Sequence, residues 1–488
     1  MSRGKKLLIL IAVLAVAVAA VVLVIHFAGN SDSGNDSAEL SVVDTDDIES
    51  VKWTYEGNTY RLVPDEEDSL WMVAGMEELD LDPSTVTNMV SVVSNLYAQK
   101  EVAKEISDDA AYGFDDPEII VTVKTGESET TFTLGNFNET AGYYYLKSSE
   151  SQSLWYVDSQ LHSAFAADAL DLVKRESLPT IETGDVAVIN ISYKGTNYQL
   201  ENNSSDADDA ENTAHFTIEG SDIVIDNSIV SNMISTFDNI SWTSVSAIDA
   251  SNADLNKYGL DEPQLTFSMT YSYESEDTEA ETDDDGNYPT KTLVETSELL
   301  IGNIADADNE DESIEYYAML KNGKNIYTIA EATADTFLID YPTDLYNKTV
   351  IEFDASDITA LSVTYKNTVY DITVNSEESI DEYGSETTAT IYKLDGKTID
   401  LDEFISFITS LKAKSISDNI IKNIGDTVIA VSLTGADGDS DGIVLYEMPD
   451  DTSACAVQVN GITRMTADYI DCDNIADAFR DALAGIEN

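Results

Sequence analysis

Two stretches of this chain, 146 residues apart, spell nearly the same element: Tyr112-Gly113-Phe114-Asp115-Asp116-Pro117 and Tyr258-Gly259-Leu260-Asp261-Glu262-Pro263. Further landmarks recur in the same order. Leu134-Gly135-Asn136 returns as Ile301-Gly302-Asn303 at an offset of 167, and Tyr144-Tyr145 returns as Tyr316-Tyr317 at 172. A chain that repeats itself in order builds one unit more than once. The growing offset marks an insertion in the second copy, which takes in the acidic run Glu274 to Pro289. That run is expected to be a disordered loop.

Each copy opens alike. Val51-Lys52-Trp53-Thr54-Tyr55, a turn at Glu56-Gly57-Asn58, and Thr59-Tyr60-Arg61-Leu62-Val63 read as a β-hairpin. Ile189 to Tyr193 and Tyr198 to Leu200 flank Lys194-Gly195-Thr196-Asn197 in the same way. A third start lies at Leu361 to Tyr365, with Lys366-Asn367-Thr368 and Val369 to Ile372. Apolar residues at helical spacing follow every hairpin: Val86, Met89, Val90, Val93, Leu96; then Ile229, Val230, Met233, Ile234, Phe237; then Phe404, Ile405, Ile408, Leu411. They predict helices over about 83–98, 227–238 and 401–412. Alternating strands come next, at Ile119 to Lys124, Thr130 to Leu134, Tyr143 to Lys147 and Leu154 to Val157 in the first copy. A closing helix is expected near Ser159 to Leu172. The third copy keeps strands at Val428 to Leu433, Gly442 to Leu445 and Ala454 to Val459 and a last helix at Asn474 to Ala484. It lacks the Tyr-Gly element and reads as a degenerate copy. The fold class expected is α+β: tandem repeats of mixed, mostly antiparallel sheet with helices on one face. The repeats divide at 47–182, 183–352 (with the acidic insertion near 274–292) and 353–488.

The N-terminus sets the compartment. Arg3, Lys5 and Lys6 make the segment 1–6 basic, and Leu7 to Ala28 is apolar except for His26. Twenty-two residues of helix span roughly 33 Å, enough for a bilayer core, and the run is longer than a signal-peptide core. We expect an uncleaved transmembrane helix at 7–28, with the N-terminus cytoplasmic and the rest extracytoplasmic. The Gly-, Ser-, Asn- and Asp-rich stretch 29–46 reads as a flexible linker. Removing the three N-terminal cations from the net charge of −68 leaves −71 on the remainder, which repels nucleic acid. With 43% hydrophobic residues the acidic part is nonetheless a folding chain. Cys455 and Cys472, 17 residues apart, leave two readings open: one disulfide in an oxidising space, or two buried thiols.

These residues resemble the bacterial family called domain of unknown function 4340. Its pattern is an N-terminal apolar span, a hairpin, a Trp-containing strand (here Leu70-Trp71-Met72-Val73), a helix, Tyr-Gly-Leu-Asp-x-Pro, a Leu/Gly element and a Tyr-rich strand. The resemblance covers about 48–175 and again 186–350, and is weak in the third copy. The family has no established activity. Members are often encoded beside ABC-type transporter components of the gliding-motility kind, so the resemblance implies an extracytoplasmic partner of a transporter.

The motif residues themselves read as structural. Gly113 and Gly259 suit a left-handed position, Pro117 and Pro263 the start of a strand, and Tyr112 and Tyr258 pack as lids beside Asp115 and Asp261. Asp437-Gly438-Asp439-Ser440-Asp441-Gly442 fits the first half of a calcium loop, which makes Asp437, Asp439 and Asp441 a weak calcium candidate. The twelfth position, where the loop needs a bidentate Glu, is Met448, and the run lies between two strands; an acidic hairpin turn is the better reading. His162 and His215 sit in no recognisable nucleophile setting, and no phosphate loop, zinc spacing or dinucleotide fingerprint occurs. No other cofactor is expected. Tyr143, Tyr144 and Tyr145 are expected to pack under the helix rather than to line a carbohydrate or peptide groove. The function expected is a non-enzymatic binding or scaffold protein, an accessory of an ABC transporter or envelope complex. The competing readings are an envelope carbohydrate hydrolase and a free-standing cation-binding or adhesin surface protein.

Overall fold

The structure, a computed structural model, describes residues 38–42, 45–65, 70–126, 128–203, 214–251, 253–278, 280, 288–305, 313–351, 354–380, 386–436 and 438–486. The expected membrane helix at 7–28 lies outside them. The chain divides into two compact units, Met1–Arg175 and Glu176–Asn488.

The first unit holds an eight-stranded sheet ordered Trp71–Val73, Asn58–Pro64, Ser50–Tyr55, Ile119–Thr125, Ser128–Asn138, Tyr143–Ser148, Leu154–Val157, Lys100–Ala103. The path is a hairpin with a short third strand, a helix, a crossing to the far edge, then a four-stranded meander back toward that edge. The helix is Pro83–Ser94, whose N-cap Asp82 accepts a hydrogen bond from Thr85 N at 2.8 Å with Pro at the first helical turn. Its buried face is Val86, Met89, Val90 and Val93. On the sheet, Val51, Trp53 and Leu62 alternate inward and are fully buried. Trp53 meets Phe165 of the short helix Gln160–Phe165 at 6.3 Å between ring centroids and donates from Nε1 to Ala167 O. Each such large side chain contributes roughly 1.5–3 kcal/mol by leaving water.

The second unit contains two sheets. One runs Phe216–Ile218, Thr196–Asn202, Val186–Tyr193, Leu265–Glu276, Thr290–Ala305, Glu315–Leu320, Ile326–Ala330, Val245–Ala247. The other runs Lys397–Ile399, Glu386–Leu394, Thr368–Ile380, Ala360–Tyr365, Thr427–Thr434, Ser440–Glu447, Ala454–Val459, Ile462–Asp468, Ser415–Ile416. The chain follows the same path in all three sheets, with one added edge strand in the last. Helices Asn227–Asp238 and Asp402–Ser410 take the place of Pro83–Ser94. The opening hairpins turn through Glu56-Gly57, Lys194-Gly195 and Lys366-Asn367, every one of these residues at positive φ. That is the two-residue turn whose twist matches paired strands.

Several expectations need correction. Every ladder among the described residues is antiparallel, so no mixed sheet is present. The first helix stops at Ser94, not 98. Asn95–Ala98 is a strand, because its extended backbone finds a partner in Ala38–Val42, itself inside the stretch expected to be linker. The closing helix of the first copy covers only Gln160–Phe165, whereas that of the third grows to Tyr469–Ile486. In that longer helix the buried Phe479 ring packs on Tyr365, Tyr370 and Phe404 at 6.0, 5.4 and 5.2 Å. The acidic insertion is in part ordered structure. Glu274 pairs with Thr292 and Glu276 with Thr290, lengthening a hairpin whose first-copy counterpart ends at Thr125 and restarts at Ser128. Residues 281–287 of the insertion lie outside the described ones.

Candidate functional site

The repeated tyrosine–glycine element folds into a helix end. In the first copy Gly113 N donates to Ala110 O and Phe114 N to Asp109 O; in the second, Gly259 N donates to Asn256 O and Leu260 N to Leu255 O. This is the Schellman closure, with glycine at φ +82° and +69°. The Gly-Asn landmark packs directly against it. A Cβ on Gly113 would lie 2.3 Å from Asn136 Oδ1, and one on Gly135 would lie 2.2 Å from Tyr112 O. In the second copy a Cβ on Gly259 would lie 2.5 Å from Asn303 Oδ1, and one on Gly302 would lie 2.2 Å from Tyr258 O. The two landmarks are therefore the halves of one clamp. Tyr112 closes it edge-on against Tyr145, and Tyr258 against Tyr317, both at 4.9 Å. Asp115 is exposed, and Asp261 accepts from Asn256 Nδ2 at 3.1 Å. Pro117 and Pro263 each stand two residues before their strand rather than in it.

The tyrosine run divides by strand alternation. Tyr144 stacks on His162 of the short helix at 4.9 Å, as a residue packed under a helix should. Tyr143 and Tyr145 meet Tyr156 instead, at 5.9 and 5.1 Å. Asn138 Nδ2 ties the hydroxyls of Tyr145 and Tyr156 at 2.7 and 3.0 Å. The Tyr156 hydroxyl is pushed up to about 12, first by its hydrogen bond to Tyr145 and then by burial. The network locks these rings to one another.

The acidic run near 440 is a hairpin turn: Thr434 pairs with Ser440 between strands Thr427–Thr434 and Ser440–Glu447. Asp437 lies outside the described residues, and among those described no group of three His, Cys, Asp or Glu is placed to hold a metal. Asp441 is held elsewhere. Its Oδ1 accepts from Asn460 Nδ2 at 2.9 Å, and Asn460 Oδ1 accepts from Gly442 N at 2.8 Å.

Asp441 thereby lines a cleft of about 330 Å³ in the second unit. Its apolar lining includes Ile223, Val350 and Ile416, all buried, with Val459 and Met465 half-buried. The connector between the two sheets runs along it: Asn347 N donates to Val224 O and Ala413 N to Lys348 O, while Lys412 Nζ donates to Thr349 Oγ1 at 2.7 Å. Arg464 supplies the chief charge. Its Nη1 donates to Asp222 Oδ1 at 2.7 Å, which raises the guanidinium further and holds Asp222 below the usual carboxylate range. Arg464 Nε is buried with no acceptor among the described residues. A buried donor without a partner costs about 1–3 kcal/mol. A larger hollow, about 510 Å³, lies over Asn190, Ser192, Gln199, Thr266 and Ser268 on the second sheet. Its lining is mostly polar side chains of a strand face, with less apolar surface to hold a ligand. Cleft residues Asp222 and Arg464 carried no sequence motif. They are 242 positions apart, and only the folded chain pairs them.

Against known proteins, the model of the family described as Domain of unknown function (DUF4340) matches twice, over residues 71–218 and 216–428. The chain belongs to this family. No curated protein and no solved structure matches it.

The DUF4340 matches begin at equivalent strands, Trp71–Val73 and Phe216–Ile218, so each starts after its sheet's opening hairpin. The sequence unit of the family is thus shifted along the chain relative to the folded sheet. The second match ends as strand Thr427–Thr434 begins, which leaves the last meander and the closing helix outside it.

Proposed function

We propose that this DUF4340 protein is a membrane-anchored, extracytoplasmic binding or scaffold protein, an accessory of an ABC-type transporter or cell-envelope complex. The cleft carries the reading: about 330 Å³, an apolar floor, paired Asp222 and Arg464, and a buried guanidinium donor that lacks an acceptor. Such a lining holds a ligand by shape and a few hydrogen bonds. The basic segment 1–6 and apolar run 7–28 support a single span with the N-terminus in the cytoplasm. The full chain extracted in mild detergent is expected to bring transporter or envelope subunits with it. Substituting the exposed cleft residue Val224→Trp to fill the cleft should weaken that association at unchanged circular dichroism. Repeated isolation without a membrane partner counts against the proposal.

A further inference from the structure

The two cysteines share the core between the third sheet and its closing helix. Cys455 stands in strand Ala454–Val459, opposite Ala467 of strand Ile462–Asp468. Cys472 lies in the first turn of Tyr469–Ile486, the helix that follows that strand directly. Both side chains are free thiols, fully buried in one apolar core with Leu445, Ile475 and Phe479. Each thiol perturbs the other, Cys455 being held down and Cys472 pushed up. A disulfide needs two sulfurs that can meet without backbone movement; the closing helix packs on strands Ala454–Val459 and Ile462–Asp468 and brings Cys472 into the core that holds Cys455.

We propose that Cys455 and Cys472 form an intramolecular disulfide that staples the closing helix to the third sheet when the chain folds outside the cytoplasm. The inference rests on the extracytoplasmic reading above for its oxidising surroundings. The oxidant is the disulfide of a thiol oxidase or a small-molecule disulfide. One cysteine thiolate attacks it and forms a mixed disulfide. The second thiolate then displaces the oxidant's remaining sulfur. Two protons and two electrons leave the cysteine pair, and the oxidant departs reduced, an oxidase as its dithiol and a small-molecule disulfide as two thiols. Both sulfurs are shielded in the finished fold, so exchange takes place before the helix docks. Once made, the bond is sheltered from reductants.

The test counts thiols on the full chain, whose only cysteines are these two. Protein purified from membranes is denatured in a maleimide–polyethylene glycol reagent, with and without prior reduction. No added mass before reduction and two additions after it, on a monomer, are expected. The oxidised protein should also melt about 5 °C above the reduced one, and Cys455→Ser should abolish that difference. Two additions without reduction, or a band at twice the monomer mass, overturn the staple in the cell. A second arm separates geometry from compartment: reduced protein is refolded with oxidised glutathione. Closure there with open thiols in the membrane-purified protein places the fault in the assigned compartment, while failure to close there overturns the geometry.

Discussion

At Gly113 the backbone conformation and the packing make the same demand. The residue sits at φ +82°, and a methyl group there would meet Asn136 at 2.3 Å. Gly57 separates the two effects, since its φ is +79° but nothing lies within 4 Å of a Cβ. Gly57→Ala should therefore cost only the backbone penalty, about 1 kcal/mol. Gly113→Ala adds a steric clash and should cost about 2–4 kcal/mol. Urea titration of the two variants checks the difference; equal losses would mean that the clamp yields freely. The tyrosine–glycine element was visible in the sequence as a structural motif. Its partner was not, because Asn136 lies 23 residues on in one copy and Asn303 lies 44 on in the other, and no local rule links such separations.

Among the elements, helix Pro83–Ser94 has a cap whose contribution depends on pH. Asp82 is held below the usual carboxylate range by the hydroxyl of Ser84 and then by Thr85 N. A carboxyl lowered in the folded state adds stability above its unfolded pKa and loses it as pH falls through the folded one. Asp82→Ala should cost about 1 kcal/mol at neutral pH, and the deficit should shrink below about pH 4. Melting curves at pH 7 and at pH 3 test this, and a deficit unchanged by acid would assign the loss to something other than the charged cap. The positions of the three main helices were legible from apolar spacing. Their ends were less so: Leu96 keeps the helical stripe yet lies in a strand, because a neighbouring extended segment outcompetes one more helical turn.

Over the whole molecule, 93 acidic residues face 25 basic ones, and the ion pairs present are mostly exposed, such as Lys194 with Asp340 and Lys414 with Asp468. Exposed pairs contribute little, and the excess charge repels itself over roughly 8 Å at physiological salt and farther in dilute salt. The protein should melt at higher temperature as NaCl rises from low to physiological concentration; a flat response would remove self-repulsion from the account. Calcium should add more than magnesium only where the turn at Asp439 and Asp441 binds it, and that excess should vanish in Asp439→Ala and Asp441→Ala. Equal effects of the two cations, untouched by the substitutions, would leave Asp441 as a cleft residue held by Asn460 and nothing more.

The sequence alone was enough for the repeat, the three hairpins with the places of their turns, the three helices and the family, because each is written in local spacing and backbone preference. Turn residues at positive φ and apolar residues three and four apart act within a few positions of themselves. Four things waited for the tertiary structure: that the third copy follows the same sheet path without the Tyr-Gly element, that Tyr-Gly and Gly-Asn are one clamp, that Arg464 meets Asp222, and that Cys455 and Cys472 share one buried core. These depend on which distant strands pair and which helix packs on them. That choice is made by burying many side chains together, and no short window of the chain records it.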